Sequence, residues 1–380
     1  MKVIMTQSNL TVTGGAERVV LKIAQHYDAT IYTGEYNKDT TLPEFQELNV
    51  NVIKMNPLYR MLPYGRAVQG LHYGLGFYGM KIEEDYDVIN AHIAPSHWIK
   101  KNNERVLWYC HTPLREVWDL YEYRMKRKRF YQKPIHIAGA AVIRRIDKSI
   151  VKRMDGIMAN SANTKGRIIK FFGRKDVTVL PSGIDYDRFS NKGDDHYFYY
   201  PARYSQNKDQ LSAIEAFARF KRLYRGRKTY KLVLAGSVSK DRFLSEYYER
   251  VVGKAKEVGD VMILVNPPDD RWLDLYSRCT AVLHPPVDED LGLVPLEGMA
   301  SGKPVIAINW GGPKETILDN ETGFLVNNAP EMAKKMVYVA EHPSIAKEMG
   351  KRGIKRIRKH YSWDNFFGIM DKELAKVAKK

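Results

Sequence analysis

Short apolar runs recur along the chain, and the segments between them are long enough for a helix or an extended loop. The first series occupies residues 2–6, 29–33, 50–55, 87–92, 105–111 and 156–160, and the second occupies residues 198–202, 231–235, 261–265, 280–283, 304–308 and 323–326. A parallel strand buried on both faces has such a continuous apolar run, and alternation with helices predicts the α/β class with doubly wound parallel sheets. Because 380 residues exceed what one core usually supports, we expect two such domains.

The segment between the two series predicts the domain boundary. Residues 177–185 have the pattern of a short strand followed by a turn, and residues 186–195 are polar and charged. Polar clusters between periodic segments are typical of linkers. We therefore expect one domain over residues 1–187 and a second over residues 196–361.

The most informative loop of the second domain covers residues 285–300, which read PPVDEDLGLVPLEGMA. It follows an apolar run and leads into a helical segment from Pro295 onward. The start of a helix offers unpaired N–H groups and the positive end of the dipole, so it suits a phosphate group. Gly292 lets the backbone approach a ligand closely, and Pro295 fits the first helical turn. We expect Glu289 in the loop and Glu297 inside that first turn.

The two carboxylates of this loop have two interpretations. Because like charges repel, Glu289 and Glu297 suit hydroxyl groups better than a phosphate, one on a sugar and the other on a ribose. Alternatively, the helix dipole favours Glu297 at its position and Glu289 is a solvated loop charge. The glycine, proline and strand context of the loop favours the first interpretation.

Ligand-binding positions in the first domain are indicated by its strand ends. Gly14 and Gly15 follow the first apolar run and precede a helical pattern, which suits a close approach of the backbone to phosphates or sugar hydroxyls. His92 and His111 each close a predicted strand, and ligands of doubly wound sheets bind at those carboxyl ends. An imidazole there can donate to a sugar hydroxyl or to charge on a departing phosphate. For either histidine considered alone, a structural role is the alternative.

A pair of cations follows the first strand of the second domain. Arg203 and Lys208 stand five positions apart in the run PARYSQNKD. Fixed cations near a strand end can neutralise a diphosphate and stabilise its charge as it departs. Chance pairs are common in a chain with 61 basic residues, so the position of the pair in the domain carries the argument.

The Glu-x7-Glu spacing, together with the downstream run SGKPVIAINWGGPKETI, resembles the donor-binding signature of glycosyltransferase family 4. The N-terminal glycine loop, the His-Thr segment at residues 111–112 and the LPSGID run resemble other parts of the same family. The resemblance covers most of the chain and implies the GT-B fold, in which two doubly wound Rossmann-like domains face each other across a cleft. It implies an acceptor-side first domain, a nucleotide-sugar-binding second domain, and a final helix over about residues 362–380 that crosses back, with Ser362 suited to its N-cap.

The resemblance also implies roles for single residues in a retaining transferase. Glu297 would hold the ribose, Arg203 and Lys208 the diphosphate, and Glu289 with His111 the transferred sugar. The implied catalytic residues are Glu289, His111, Arg203 and Lys208. The implied donor-binding residues are Gly15, Arg203, Lys208, Glu289, Gly292, Leu293, Val294 and Glu297. The family implies front-face transfer, in which the leaving phosphate assists the incoming hydroxyl.

The donor and acceptor are less determined than the reaction. The run YCHTPLREVWD resembles that of mannosyl-transferring members, so GDP-mannose is the first expectation for the donor, with UDP-sugars as the alternative. The acceptor is expected to be a saccharide or a lipid-linked glycan. No cofactor is expected beyond the nucleotide-diphosphate sugar as co-substrate. No metal is expected either, although Asp288, Glu289 and Asp290 formally give an Asp-x-Asp pattern that can hold a divalent cation.

The formal net charge of +17 requires an explanation, and much of it comes from residues 124–153, which hold 11 basic residues and one acid, Asp147. The apolar positions of residues 135–150 follow helical spacing. Such a helix can lie on an anionic membrane surface, or it can pack on the sheet with a solvated basic face. Nucleic acid is not an expected partner because no reader module is visible. A noncatalytic sugar-nucleotide sensor would be expected to lack His111 or Glu289.

No apolar run approaches the roughly 20 residues that span a bilayer. The sequence is therefore expected to belong to a cytoplasmic protein, with a peripheral location at the cytoplasmic membrane face if the basic segment binds lipid. The two cysteines, Cys110 and Cys279, suggest neither a disulfide framework nor a zinc site and are expected to be buried.

Overall fold

The computed structural model describes residues 1–55, 66–238, 242–287 and 289–380. This part of the chain divides into two compact units, which we call unit 1 and unit 2. Unit 1 comprises Met1–Ser182 and Phe366–Lys380, and unit 2 comprises Gly183–Asn365. Both units are α/β, and the predicted fold class is confirmed.

The described residues of unit 1 form a seven-stranded parallel sheet in the order β3-β2-β1-β4-β5-β6-β7. Its strands are β1 Val3–Gln7, β2 Thr30–Thr33, β3 Val50–Val52, β4 Val88–Ala91, β5 Val106–Cys110, β6 Gly156–Ala159 and β7 Thr178–Val179. Its helices are α1 Gly15–Tyr27, α2 Arg66–Gly79, α3 Tyr121–Arg127, α4 Lys133–Lys152 and α5 Ala162–Phe172. Every residue of β1, β4 and β5 is buried, as expected of central parallel strands covered on both faces.

Unit 2 repeats this plan with a parallel sheet that has six strands among its described residues, in the order β10-β9-β8-β11-β12-β13. The strands are β8 Tyr197–Pro201, β9 Lys231–Gly236, β10 Val261–Val265, β11 Ala281–His284, β12 Val305–Ile308 and β13 Gly323–Val326. The helices are α6 Gln210–Leu223, α7 Arg242–Val258, α8 Asp269–Arg278, α9 Leu293–Ala300, α10 Pro313–Thr316, α11 Ala329–Glu341 and α12 Pro343–His360. The last helix, α13 Trp363–Ala378, begins in unit 2 and belongs mainly to unit 1. In each sheet the strand order reverses once, between β1 and β4 in unit 1 and between β8 and β11 in unit 2.

The division between the units falls between Ser182 and Gly183, ahead of the predicted linker at residues 186–195. That segment packs on unit 2. The Lys192 N–H donates to the carbonyl of Ser277 at 2.9 Å, and the Asn191 side chain donates to the carbonyl of Gly302 at 2.9 Å. The polar composition of residues 186–195 predicted a linker. In the structure, these polar groups form hydrogen bonds with other residues of unit 2.

The helix α13 begins as predicted after a break at residues 361–362, because the Ser362 hydroxyl accepts a hydrogen bond from the Asn365 N–H at 3.2 Å. From Phe366 onward the helix belongs to unit 1. There Asp371 accepts a hydrogen bond from the Tyr27 hydroxyl at 2.8 Å, and Phe367 stacks on His26 with ring centroids 3.6 Å apart. Helix α13 thus packs against α1.

The basic segment contains one buried carboxylate, Asp147 of α4. Its two oxygens accept three ring N–H groups, from His97 at 2.8 Å, Trp98 at 2.7 Å and Trp118 at 2.8 Å. The other buried residues of the helix are Ala140, Ile143, Ile150 and Val151. From Ala140 onward, α4 therefore packs on the sheet. This agrees with the interpretation of α4 as a helix that packs on the sheet and has a solvated basic face. Both cysteines are buried and free, as expected.

Replacing Asp147 by alanine should lower the free energy of unfolding by about 3–5 kcal/mol, because the buried His97 and Trp98 and the half-buried Trp118 lose their acceptor. For a unit of this size, the thermal midpoint should fall by roughly 6–12 °C. Asp176→Ala is the matched control, since its carboxylate is 68% exposed in its ion pair with Arg174 and should contribute little. The thermal midpoints are measured by tryptophan fluorescence on heating. Equal midpoints for the two variants would contradict a structural role for Asp147.

Candidate active site

The loops after β8 and β11 meet where the strand order of unit 2 reverses. Lys208 ends a 3-10 helix over Gln206–Lys208 in the first loop, and Glu289 lies in the second. The Lys208 Nζ donates to Glu289 Oε2 at 2.6 Å, and the two side chains are 21% and 20% exposed. Because ligands of doubly wound sheets bind at such reversal points, this solvent-accessible ion pair lies at the expected ligand position.

The backbone of Lys208 is held on both sides. The buried Tyr200 hydroxyl donates to the Lys208 carbonyl, and burial raises the pKa of Tyr200 well above its usual range, so this donor keeps its proton. Asp209 has a left-handed backbone with φ of 49°, and its carboxylate caps α6 by accepting from the Ser212 N–H at 3.3 Å and also accepts from the Ser212 hydroxyl at 2.6 Å. The ammonium group of Lys208 is therefore presented from a fixed turn.

The Glu289 loop rests on the two glycines that follow β12. The Gly312 N–H donates to the Glu289 carbonyl at 2.9 Å. A Cβ on Gly311 would lie 2.3 Å from the Glu289 carbonyl oxygen, and a Cβ on Gly312 would lie 2.2 Å from the Leu291 carbonyl oxygen. Both contacts are with backbone atoms, so the loop can take this position only against glycine.

Helix α9 begins at Leu293, two residues before the predicted start, because Gly292 adopts a φ of 84° that turns the chain directly into the helix. Leu293 and Val294 are its first two residues, so their N–H groups have no partner within the helix, as a phosphate site requires. The prediction that Glu297 lies inside the first turn is wrong. Glu297 is the fifth residue of α9 and lies in the second turn.

Glu297 is oriented from the side of α8. The buried Tyr276 hydroxyl donates to Glu297 Oε2 at 2.5 Å, and the Tyr276 ring packs edge-on against Tyr199 with centroids 5.0 Å apart. Burial, followed by the charge of Glu297, raises the pKa of Tyr276 well above its usual range. The carboxylate is thereby held in one orientation, which suits a group that recognises ligand hydroxyls.

Arg203, the other predicted cation, has an exposed side chain. Its carbonyl accepts a hydrogen bond from the Gln210 side chain at 2.8 Å, which joins the loop to α6. The structure therefore brings Lys208 and Glu289 into direct contact and leaves the Arg203 guanidinium in solvent.

Sequence reasoning missed His284, the last residue of β11. It is 1% exposed, and neither ring nitrogen has a hydrogen-bond partner among the described residues. A Cβ on Gly292 would lie 3.5 Å from His284 Nε2 and 3.4 Å from Glu289 Cγ, so both side chains flank this glycine. The signal that could have found it is its place at the carboxyl end of a strand, the same signal that selected His92 and His111.

In unit 1, the predicted glycine loop leads into α1, with Gly14 as N-cap and Gly15 as the exposed first residue. Glu17, which the sequence did not single out, is buried in the first turn of that helix. A Cβ on Gly14 would lie 2.4 Å from Glu17 Oε2, so the side chain folds back over the glycine. Gly15 itself is exposed at the start of the helix, and its role in donor binding stays a prediction.

His92 and His111 form a buried pair at the carboxyl ends of β4 and β5, with His92 Nδ1 and His111 Nε2 3.2 Å apart. Burial lowers the pKa of His111 to about 3, and burial and then His111 lower that of His92 well below its usual range. His92 Nε2 has no partner among the described atoms. A proton on His92 Nε2 would therefore be a buried, unpaired N–H, so we assign the proton of His92 to Nδ1, which donates to His111 Nε2. Because His111 Nε2 accepts this bond, the proton of His111 lies on its Nδ1. A neutral His111 can then donate a hydrogen bond to a ligand.

The depressed pKa of His284 predicts a loss of stability in acid. Burial lowers that pKa to about 4, whereas an unfolded histidine titrates near 6.5. As the pH falls from about 7 to about 4, the unfolded chain takes up a proton that the folded chain excludes, so this group should remove on the order of 3 kcal/mol of stability. Thermal midpoints measured across this range should fall less in His284→Gln than in the parent protein.

The exposed His342 supplies the control for this prediction. His342→Gln should leave the pH dependence of the thermal midpoint as it is in the parent protein. An unchanged pH dependence in His284→Gln would contradict a neutral buried imidazole at that position.

The Asp-x-Asp pattern is incompletely described, because Asp288 lies outside the described residues. Within residues 1–55, 66–238, 242–287 and 289–380, no group of three or more His, Cys, Asp or Glu side chains is disposed to hold a metal ion. The chain's own cation beside the Glu289 loop is Lys208.

Family models match both units. The model described as Glycosyltransferase Family 4 matches residues 13–188, and the model described as Glycosyl transferases group 1 matches residues 184–356. The two matches adjoin at the start of unit 2. Together they cover the glycine loop, His111, the Lys208–Glu289 pair and Glu297.

Similar proteins extend over nearly the whole chain. The alpha-1,3/1,6-mannosyltransferase ALG2 of Dictyostelium discoideum is 29% identical over 402 residues, covering 93% of this chain and 93% of the relative. The Homo sapiens protein of the same name is 27% identical over 396 residues, covering 93% and 91%. The solved structure of Anabaena Alr3699/HepE in complex with UDP-glucose superposes with a TM-score of 0.75 over 99% of each chain at 17% identity, a likeness that shows the fold alone.

The matched families, the full-length similarity and the fold agree. The neighbouring structure and the two parallel-sheet units identify the fold as GT-B, as expected from the sequence. The chain belongs to glycosyltransferase family 4, within the glycosyl transferases group 1, and it is a glycosyltransferase.

Proposed function

We propose that this enzyme transfers a mannosyl residue from GDP-mannose to a saccharide or lipid-linked glycan, with retention of configuration. The observation that carries the proposal is the Lys208–Glu289 ion pair beside the start of α9. It combines a cation and a carboxylate with unpaired helix N–H groups, which suits a sugar diphosphate. The similar proteins named alpha-1,3/1,6-mannosyltransferase support mannose as the sugar.

The proposed binding mode divides the donor among these groups. The N–H groups of Leu293 and Val294, with Lys208 and Arg203, bind the diphosphate. Glu297 accepts hydrogen bonds from the ribose hydroxyls. The orientation that Tyr276 gives the Glu297 carboxylate supports this role.

The remaining site residues contact the sugar and the phosphates from other positions. We propose that Glu289 and His111 contact the transferred mannose, with the neutral His111 as a hydrogen-bond donor. The backbone at Gly15 and Gly292 approaches the donor closely. The exposed position of Gly15 and the left-handed backbone of Gly292 support these roles.

In the proposed reaction, the bond between the anomeric carbon and the β-phosphate oxygen breaks while the acceptor hydroxyl attacks from the same face. The acceptor proton passes to the departing diphosphate. Lys208 and Arg203 neutralise the negative charge that develops there, which is where fixed cations accelerate a reaction most. No metal takes part in this scheme.

The location and acceptor are proposed together. No helix among the described residues is both long enough and apolar enough to cross a bilayer. We propose that the enzyme works on the cytoplasmic side, at the membrane face when its acceptor carries a lipid.

Calorimetric titration with GDP, UDP and ADP in the presence of EDTA tests the donor site. GDP binding that is weakened in Lys208→Ala and in Glu297→Ala is the expected result. Transfer from GDP-mannose to a saccharide acceptor, with the anomeric configuration read by NMR, then tests the reaction.

Other outcomes of the titration have distinct meanings. Preferential binding of UDP would identify a UDP-sugar, and not GDP-mannose, as the donor. Binding that appears only after addition of Mg²⁺ or Mn²⁺ would overturn the metal-independent scheme. Absence of nucleotide binding under every condition would overturn the proposed donor site.

A further inference from the structure

Unit 1 carries a surface that its own core does not use, at the junction of α3 and α4. We call it the basic apolar face. It consists of exposed side chains that are either large and apolar or cationic: Lys126, Arg129, Phe130, Tyr131, Lys133, Ile135 and Val142.

The first part of α4 lacks the packing that holds the rest of the helix. None of its first seven residues, Lys133 to Gly139, is buried, and the buried positions begin at Ala140. Seven helical residues extend for about 10 Å. This end of α4 meets the preceding segment through His136, whose ring stacks on Tyr121, and it leaves Ile135 and Ile137 exposed, at 77% and 51%.

Exposed apolar residues are concentrated at this place. Of the 18 large hydrophobic side chains exposed in the described part of the chain, six lie within residues 123–142. These include Phe130, which at 84% is the most exposed of all. Single exposed apolar residues are normal, whereas a cluster of this kind marks a binding surface.

The charge of the same segment identifies the kind of partner. Residues 123–142 contain six Lys or Arg and no Asp or Glu. A complementary surface must therefore be anionic and must also accept aromatic and aliphatic side chains. An anionic bilayer offers both, because its headgroups carry negative charge over an apolar interior. Nucleic acid fits less well, since Ile135 and Val142 cannot stack on bases as aromatic side chains do.

The face is rigidly connected to the segment that follows His111. The Arg144 guanidinium donates to the Val117 carbonyl at 2.6 Å, and Trp118 donates to the buried Asp147. Tyr121 stacks on His136 with ring centroids 5.5 Å apart. A surface bound at the start of α4 is thereby fixed relative to the chain that leads from His111.

We infer that the basic apolar face docks on an anionic lipid bilayer, with Phe130, Tyr131 and Ile135 inserted among the headgroups. This inference rests on the proposed function, which includes a lipid-linked acceptor. It names the surface that brings the enzyme to such an acceptor. Docking itself requires neither donor nor acceptor.

Flotation of the full-length protein with vesicles tests this inference. The protein should float with vesicles of phosphatidylcholine and phosphatidylglycerol, stay unbound with phosphatidylcholine alone, and dissociate as salt is added. Each basic residue near an anionic surface contributes roughly a fivefold factor in partitioning, so Lys126→Ser, Arg129→Ser and Lys133→Ser together should reduce binding about a hundredfold. Phe130→Ser with Ile135→Ser should reduce binding to the same vesicles without changing the net charge.

A second basic helix supplies the matched control. Helix α12 has exposed Lys347, Lys355 and Lys359 and no large exposed hydrophobic residue. Replacing these three lysines by serine removes the same charge and should reduce binding far less. The thermal midpoint of each variant, compared with the parent protein, confirms that it is folded.

Three results would overturn the inference: equal binding to neutral and anionic vesicles, equal losses in the α12 control, and binding to RNA or heparin without binding to vesicles. The apolar variant is decisive, because a simple polyanion site would not depend on Phe130 and Ile135. Nucleotide titration on the same samples separates the two proposals. A variant that binds nucleotide normally but no longer floats has lost the function of the basic apolar face alone. A variant that floats but no longer binds nucleotide has lost the function of the donor site alone.

Discussion

Replacing Lys208 by alanine should lower the rate of sugar transfer by roughly two to three orders of magnitude. The ammonium group is held at the carboxyl end of β8 by a fixed turn and lies 2.6 Å from Glu289. A cation that is already in place stabilises a departing diphosphate without reorganisation. The loss should appear mainly in kcat, measured by release of the nucleoside diphosphate, because the negative charge grows as the sugar leaves.

The ion pair gives this prediction an internal check. Lys208 and Glu289 are in contact, so their effects should not multiply, and Lys208→Ala combined with Glu289→Gln should lose less than the product of the single losses. Lys221→Ala is the matched control, because Lys221 forms an exposed ion pair with Asp260 in the same unit. A loss of similar size in Lys221→Ala, or independent effects of Lys208 and Glu289, would contradict a specific role for the pair.

Replacing Gly312 by alanine should abolish most transfer activity while the protein remains folded. The added Cβ would lie 2.2 Å from the carbonyl oxygen of Leu291 and 2.4 Å from its backbone carbons, and no flexible side chain can yield there. The loop that carries Glu289 must then move away from β12. Because misplacing a reacting group by about 1 Å can reduce rates a hundredfold, we expect a loss of at least this size.

A second glycine of unit 2 isolates the steric cause. Gly253 lies in α7, and a Cβ added there would meet no atom within 4 Å outside its own stretch of the helix, so Gly253→Ala encounters no obstacle. In a helix interior this change should stabilise by about 0.5–1 kcal/mol and leave transfer intact. Full activity in Gly312→Ala, or a loss of secondary structure that accounts for the inactivity, would contradict the proposed mechanism of the effect.

The strands were predictable because parallel strands have a simple sequence pattern. The apolar runs at residues 280–283 and 304–308 became β11 and β12, whose residues are all buried, since both faces of such strands must be covered by apolar side chains. The start of α13 was predictable for a different reason. A serine N-cap is a local interaction, and the hydroxyl of Ser362 needs only the chain three residues ahead to find its partner.

The site was predictable in part, because its residues lie at strand ends but their contacts depend on the tertiary fold. Lys208 and Glu289 were assigned to different parts of the donor, and nothing local to either residue indicates an ion pair across 81 positions. The early start of α9 depends on the left-handed backbone of Gly292, which a permissive residue allows but does not require. The acceptor role of Asp147 depends on three rings brought together from distant segments.

The path of the chain through unit 1 has a consequence for engineering. Unit 1 is built from two separate segments of the sequence, whereas unit 2 is one continuous segment between them. Unit 2 is therefore inserted into the sequence of unit 1. Its entry and exit lie side by side, since the Ile184 N–H donates to the Tyr361 carbonyl and Gly183 packs against Trp363. Residues 183–365 therefore form a natural block for exchange between related transferases. A chimera cut at these two neighbouring positions would replace unit 2, where we propose that the donor binds, and would leave the sheet of unit 1, helix α13 from Phe366 onward and the basic apolar face of its host intact.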